Sequence, residues 1–126
     1  MRTDPEQGRA ALARWLADPA DRAARRTAVR FTLAVLGDVA PGRTVEVRVP
    51  PDGVVQAVAG PRHTRGTPPA VVETDPDTWL RLATGAVTWD GAITDGAVTA
   101  SGERADLARW LPLPGLRREG GPAGGS

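Results

Sequence analysis

No cysteine occurs in the 126 residues, which excludes a disulfide, a cysteine-ligated zinc or iron–sulfur site and a thiol nucleophile. The single histidine, His63, is too few for a histidine-ligated metal centre. Lysine is also absent, so all 16 basic residues are arginine, and no glycine-rich phosphate loop ending in lysine exists. Aromatic side chains are scarce: one Phe, no Tyr and four Trp. The formal net charge is only +1, so no strong overall field draws in nucleic acid. No apolar run approaches the roughly 18–20 residues of a membrane span. The first ten residues, MRTDPEQGRA, lack the apolar core of a signal peptide, and the final Gly-Gly-Ser is not a peroxisomal signal. These features predict a cytoplasmic protein with no transmembrane segment, no nucleic-acid partner, no metal and no cofactor.

What is present is a pattern of helices and short strands. The length suits one domain, expected over 1–114, with a flexible Gly-rich tail over 115–126. Asp4-Pro5-Glu6-Gln7 reads as a helix start with a capping box, and Leu12, Trp15 and Leu16 then share a face. Asp18-Pro19-Ala20-Asp21 repeats the start signal and predicts a second helix over 19–36, with Gly37 as its stop. Strands are expected over 44–49 and 54–59, joined by a type I turn at Pro50-Pro51-Asp52-Gly53. Neither face of 54–59 is strongly polar, which suggests a strand covered on both sides or one facing a space filled later. Residues 60–69 form a loop by composition. A strand over 70–74 follows, then a helix capped at Asp75 and ended by Gly85, then a short helix capped at Thr88. A fourth strand spans 97–101, and a last helix carries Leu107, Trp110 and Leu111 on one stripe until Pro112 and Pro114 end it. If the third and fourth strands are parallel neighbours, the helical segment between them makes a right-handed crossover. The fold class is α+β, a small sheet with helices mainly on one face.

Catalytic chemistry is hard to find in this pattern. Asp4, Asp18, Asp75 and Asp77 sit at helix starts, where caps and dipole partners belong. Ser101 lacks the glycine-flanked turn of an activated nucleophile. The loop Arg62-His63-Thr64-Arg65-Gly66-Thr67 has the side chains to hold a carboxylate or phosphate, or to be simply solvated. Arg22, Arg25, Arg26 and Arg30 read as a solvated helix face. No enzymatic activity is expected.

The tryptophans carry more information. Trp15, Trp79, Trp89 and Trp110 all lie at apolar helical spacings, facing a sheet rich in Val and Ala. Large helical side chains against small strand side chains either fill the interior or leave a lumen. An empty cavity of ~300 Å³ would cost roughly 7 kcal/mol at ~24 cal/mol per Å³. Against a total stability of ~5–15 kcal/mol, a domain this small packs solid or keeps its pocket filled. A bound acyl chain offsets such a void by up to ~0.8 kcal/mol per buried methylene.

The span 71–113 resembles the sterol carrier protein type 2 pattern. The matching positions are Leu80, Leu82 and Gly85, then Ala92 and Gly96, then Val98, Gly102-Glu103, and Leu107 with Leu111. The whole chain, including VEVRVPPDGVVQAV and GPRHTRGTPPAVVETDP, resembles a bacterial branch of small stand-alone sterol-carrier-like domains. It departs from the family in lacking the motif's lysines, in placing Ile93 where Phe or Met is usual, and in offering four clear strands rather than five. The resemblance implies a sandwich with a four- to five-stranded mixed sheet covered by helices and an apolar pocket between them. It also implies a lipid-transport type of function, with a hydrophobic small molecule or lipid (fatty acyl, acyl-CoA or sterol-like) as partner. Phe31, Trp79, Leu82, Trp89, Ile93, Leu107, Trp110 and Leu111 would line the site, with Arg62, His63 and Arg65 at a polar headgroup. The alternative is a solid-core interaction or auxiliary module without ligand.

Overall fold

The structure is a computed structural model that describes residues 3–60, 69–102 and 105–116. Two helices come first, α1 over Pro5–Ala17 and α2 over Arg22–Val39. Strands β1 (Val45–Val49), β2 (Gly53–Ala57) and β3 (Ala70–Thr74) follow. Helices α3 (Pro76–Thr84) and α4 (Trp89–Thr94) lead to β4 (Val98–Ser101), and a 3₁₀ turn at Ala108–Trp110 comes last. This is the expected α+β fold with a four-stranded mixed sheet and helices.

The strand order is β2-β1-β3-β4. β1 is antiparallel to β2 and parallel to β3, while β3 and β4 are antiparallel. The parallel pair is therefore β1–β3, and no parallel crossover joins β3 to β4, contrary to the conditional expectation. Alternation sets the two faces. Val45, Val47, Val49, Ala57 and Val72 point inward and are buried, while Arg48, Gln56, Glu73 and Thr99 point out. β2 is not covered on both sides: Val54, paired with Arg48 on the outer face, is 60% exposed.

The helices start where short polar side chains cap them. Asp4 accepts from the Gln7 amide, Asp75 from Thr78, and the Thr88 hydroxyl from Gly91. The second helix differs from its expected bounds at both ends. Asp18 instead closes a turn, taking the Ala20 amide at 3.1 Å, and Asp21 caps the helix through the Ala24 amide at 3.0 Å. The helix then runs through Gly37 to Val39. Gly37 lies against β2, where an added methyl carbon would sit 3.3 Å from a Val55 methyl. Its small size serves close helix–sheet packing rather than helix termination. By contrast Gly85 does end α3, at φ 83°, a left-handed conformation that favours glycine.

The hairpin turn falls one residue earlier than the sequence pattern suggests, with the Asp52 amide donating to the Val49 carbonyl at 2.8 Å. The last expected helix is reduced to the 3₁₀ turn. Pro112 and Pro114 stop it from running past Leu111, because they lack amide hydrogens, and the intervening Leu113 amide donates to the Ala83 carbonyl at 3.0 Å. Leu107, Leu113 and Leu116 are buried in the core this segment closes.

One core joins all layers. Trp79 is fully buried, and its indole N–H donates to the Thr32 hydroxyl at 2.8 Å, tying α3 to α2. Thr32 passes its own hydroxyl hydrogen back to the Ala28 carbonyl at 2.7 Å. Trp15 Nε1 donates to Asp77 at 3.2 Å, tying α1 to α3, so Asp77 does more than favour its own helix start. Phe31 lies on Gly8 of α1, where any larger residue would overlap its ring.

Candidate functional site

At the C-terminal end of α2 the chain turns at Ala40 and Pro41, and β2 ends beside it. The Val58 amide donates to the Ala40 carbonyl at 2.6 Å, and the Val58 carbonyl accepts from Thr44 at 3.0 Å. These two bonds hold Val58 at φ +70°, a left-handed conformation that a β-branched residue adopts only at a cost of roughly 1–2 kcal/mol. The 3₁₀ turn faces this corner. Together Ala40, Pro41, Val58, Ala59, Asp106, Arg109 and Trp110 line a groove of about 410 Å³.

The groove is largely apolar, with two charged groups at its edge. Asp106 is occupied as a local cap, accepting from the Ala108 amide at 2.8 Å. The Arg109 guanidinium lies over the Trp110 ring, 4.9 Å from its centroid, an arrangement that favours cation–π attraction. Trp110 is half-buried, one side on the core and the rest available to the groove.

The structure places the residues expected to line a ligand site as follows. Phe31, Trp79, Leu82, Trp89 and Leu107 are buried in one core cluster, and the half-buried Trp110 and Leu111 pack against it. Ile93 is 38% exposed, whereas its neighbours Trp89 and Ala92 turn inward. Trp79 and Leu107 are at zero exposure, so their side chains border no space that admits water. Arg62, His63, Arg65 and the Glu103 of the sterol-carrier-like motif lie outside the described residues, as do 117–126 of the expected tail.

The arginine face on α2 is only partly solvated. Arg25 reaches the β1–β2 turn and grips Asp52 with two hydrogen bonds, Nε to Oδ2 at 2.8 Å and Nη2 to Oδ1 at 3.3 Å. Arg30 Nε donates to the Asp52 carbonyl at 3.1 Å. The Asp52 hydrogen bond holds the Arg25 pKa above its ordinary value, against the opposing effect of burial. Sequence reasoning did not single out Asp52, because a Pro-Pro-Asp-Gly turn gives no sign that its carboxylate is buried. The only hint was the spacing of arginines on the facing helix.

Among the described residues no group of three or more His, Asp or Glu could hold a metal ion. No buried side-chain nitrogen or oxygen there lacks a hydrogen-bond partner. No helix among them is long and apolar enough to cross a membrane.

No curated protein matches the chain. A family model does: residues 21–113, from the cap of α2 to the buried Leu113 and nearly three quarters of the chain, match the family described as bacterial SCP ortholog. The chain thus belongs to this bacterial family of sterol-carrier-protein-like proteins.

Proposed function

We propose that the protein binds a hydrophobic ligand, a fatty acyl, acyl-CoA or sterol-like lipid, and carries it without chemical turnover in the cytoplasm. The observation that carries this reading is the pairing of family membership with a half-buried tryptophan on an apolar groove of about 410 Å³. In this reading Trp110 forms the entrance. The ligand's apolar part passes inward along Leu111 toward Phe31, Leu82, Trp89 and Leu107, displacing side chains that close the core when it is empty. Trp79, hydrogen-bonded to Thr32, forms the floor. Arg62, His63 and Arg65 remain candidates for the polar end of the ligand.

A second reading, a solid-core interaction module without ligand, is favoured by the complete burial of Trp79, Leu80, Leu107 and Leu113. Native mass spectrometry of freshly purified, undelipidated protein separates the two. A discrete adduct of lipid mass, extractable into organic solvent, is expected for the carrier, and a bare mass for the module. Trp89 is buried, so Trp89→Ala confounds binding with an expected destabilisation of about 3–5 kcal/mol. Trp110→Ala is the cleaner probe. It should leave the protein folded and weaken binding of a fluorescent fatty acid about tenfold, a loss near 1.4 kcal/mol. Unchanged affinity in the folded variant would remove the groove from the proposal.

A further inference from the structure

The opposite end of α2 carries a second groove of different chemistry. Arg22, Arg25, Arg26 and Arg30 line it from the helix, and Pro51 and Asp52 from the β1–β2 turn, around a volume of about 490 Å³. The lining thus holds four guanidinium groups and one carboxylate. That carboxylate is 2% exposed and fully engaged by Arg25. Its grip fixes the Arg25 fork in the groove wall, and the Asp52 carbonyl fixes Arg30 through Nε, leaving the terminal nitrogens of Arg30 uncommitted among the described residues. Arg22 and Arg26 are exposed and, among the described residues, have no hydrogen-bond or ion-pair partner. The nearby acids are already used: Asp21 caps the helix and Asp77 holds the Trp15 indole.

We infer that this groove binds a phosphate group, as a phosphomonoester or diphosphate. Three partly uncommitted guanidinium groups around one concave space match a multiply charged anion whose several oxygens accept paired N–H bonds. The positive end of an 18-residue helix acts in the same direction. A single carboxylate would leave most of these donors unused. The site is separate from the apolar groove: they share no lining residue, and the nearest of them on α2, Arg30 and Ala40, are about 15 Å apart along the axis at ~1.5 Å per residue. It stands whether or not the Trp110 groove takes a lipid.

The test is a titration of the full chain with inorganic pyrophosphate, followed by backbone amide and arginine Nε–Hε resonances. Saturable shifts are expected at Arg22, Arg26 and Arg30. The double variant Arg22→Gln/Arg26→Gln should keep its melting temperature and lose affinity about tenfold or more. The double variant Arg9→Gln/Arg14→Gln, on the exposed side of α1, should bind as the wild type does. Equal losses in both variants, or none in the first, would overturn the site. Phosphatidylcholine vesicles with and without phosphatidic acid identify the source of the phosphate. Pyrophosphate binding without vesicle binding assigns a soluble phosphate compound. Vesicle binding that pyrophosphate displaces assigns a lipid headgroup. Vesicle binding with no pyrophosphate binding would also overturn the site, since a charged surface attracts any basic patch.

Discussion

Thr32 is a polar residue at zero exposure in the middle of α2, and its hydroxyl satisfies two demands at once. It returns its hydrogen to the helix and offers its lone pair to the Trp79 indole. Thr32→Val keeps the shape but leaves the indole N–H buried and unpaired, which should cost about 1–3 kcal/mol. Equilibrium unfolding in urea measures this, and an unchanged midpoint would show that the indole finds another acceptor. Asp52 makes a comparable case. Arg25→Met would leave its carboxylate facing the protein with only the Arg30 contact to its carbonyl nearby. A loss of about 3 kcal/mol is expected in the same measurement, less any relief from water reaching the vacated groove.

Among the elements, β1 was the most readable, because alternation of valine with charged residues fixes which face turns inward, whereas β2 lacks that pattern. The caps at Asp4, Asp75 and Thr88 were readable for an equally local reason: a short polar side chain before an apolar helix has one evident task. Gly37 was misread because a glycine that ends a helix and a glycine pressed on a sheet look alike until the sheet is in place. Whether β3 and β4 run parallel is likewise not set locally, since strand direction depends on partners distant in the chain. The Asp75 cap carries a pH prediction. Burial raises its pKa, but hydrogen bonds from the Thr78 side chain and backbone outweigh this and leave it below the ordinary value. A depressed folded pKa means the carboxylate stabilises the fold above the unfolded pKa and that this stability is lost as pH falls through the folded one. Asp75→Asn should therefore flatten the acid limb of a stability–pH profile from thermal melts, with little change in slope near neutrality.

For the molecule as a whole, the sequence marks which large apolar side chains gather inside, but not how they are arranged. Seven of the eight apolar positions join one core, Trp110 and Leu111 at its half-buried margin, while α4 turns Ile93 outward. Leu107, Trp110 and Leu111 were expected on one helical stripe, but the chain here makes only a 3₁₀ turn, which changes their spacing around the axis. The four tryptophans that resulted occupy unequal surroundings, and this makes the chain its own optical reporter. Trp79 is sealed in apolar contacts with one hydrogen bond, so it should emit at short wavelength and escape acrylamide. Trp110 is partly wet and lies beneath a guanidinium, so it should emit to the red and be quenched first. Anything that settles into the groove at the end of α2 should shift the red component blue and shield it while the blue component stays still. A guest that forced the core open would disturb both. The order in which the two populations respond would then trace the route by which a guest enters.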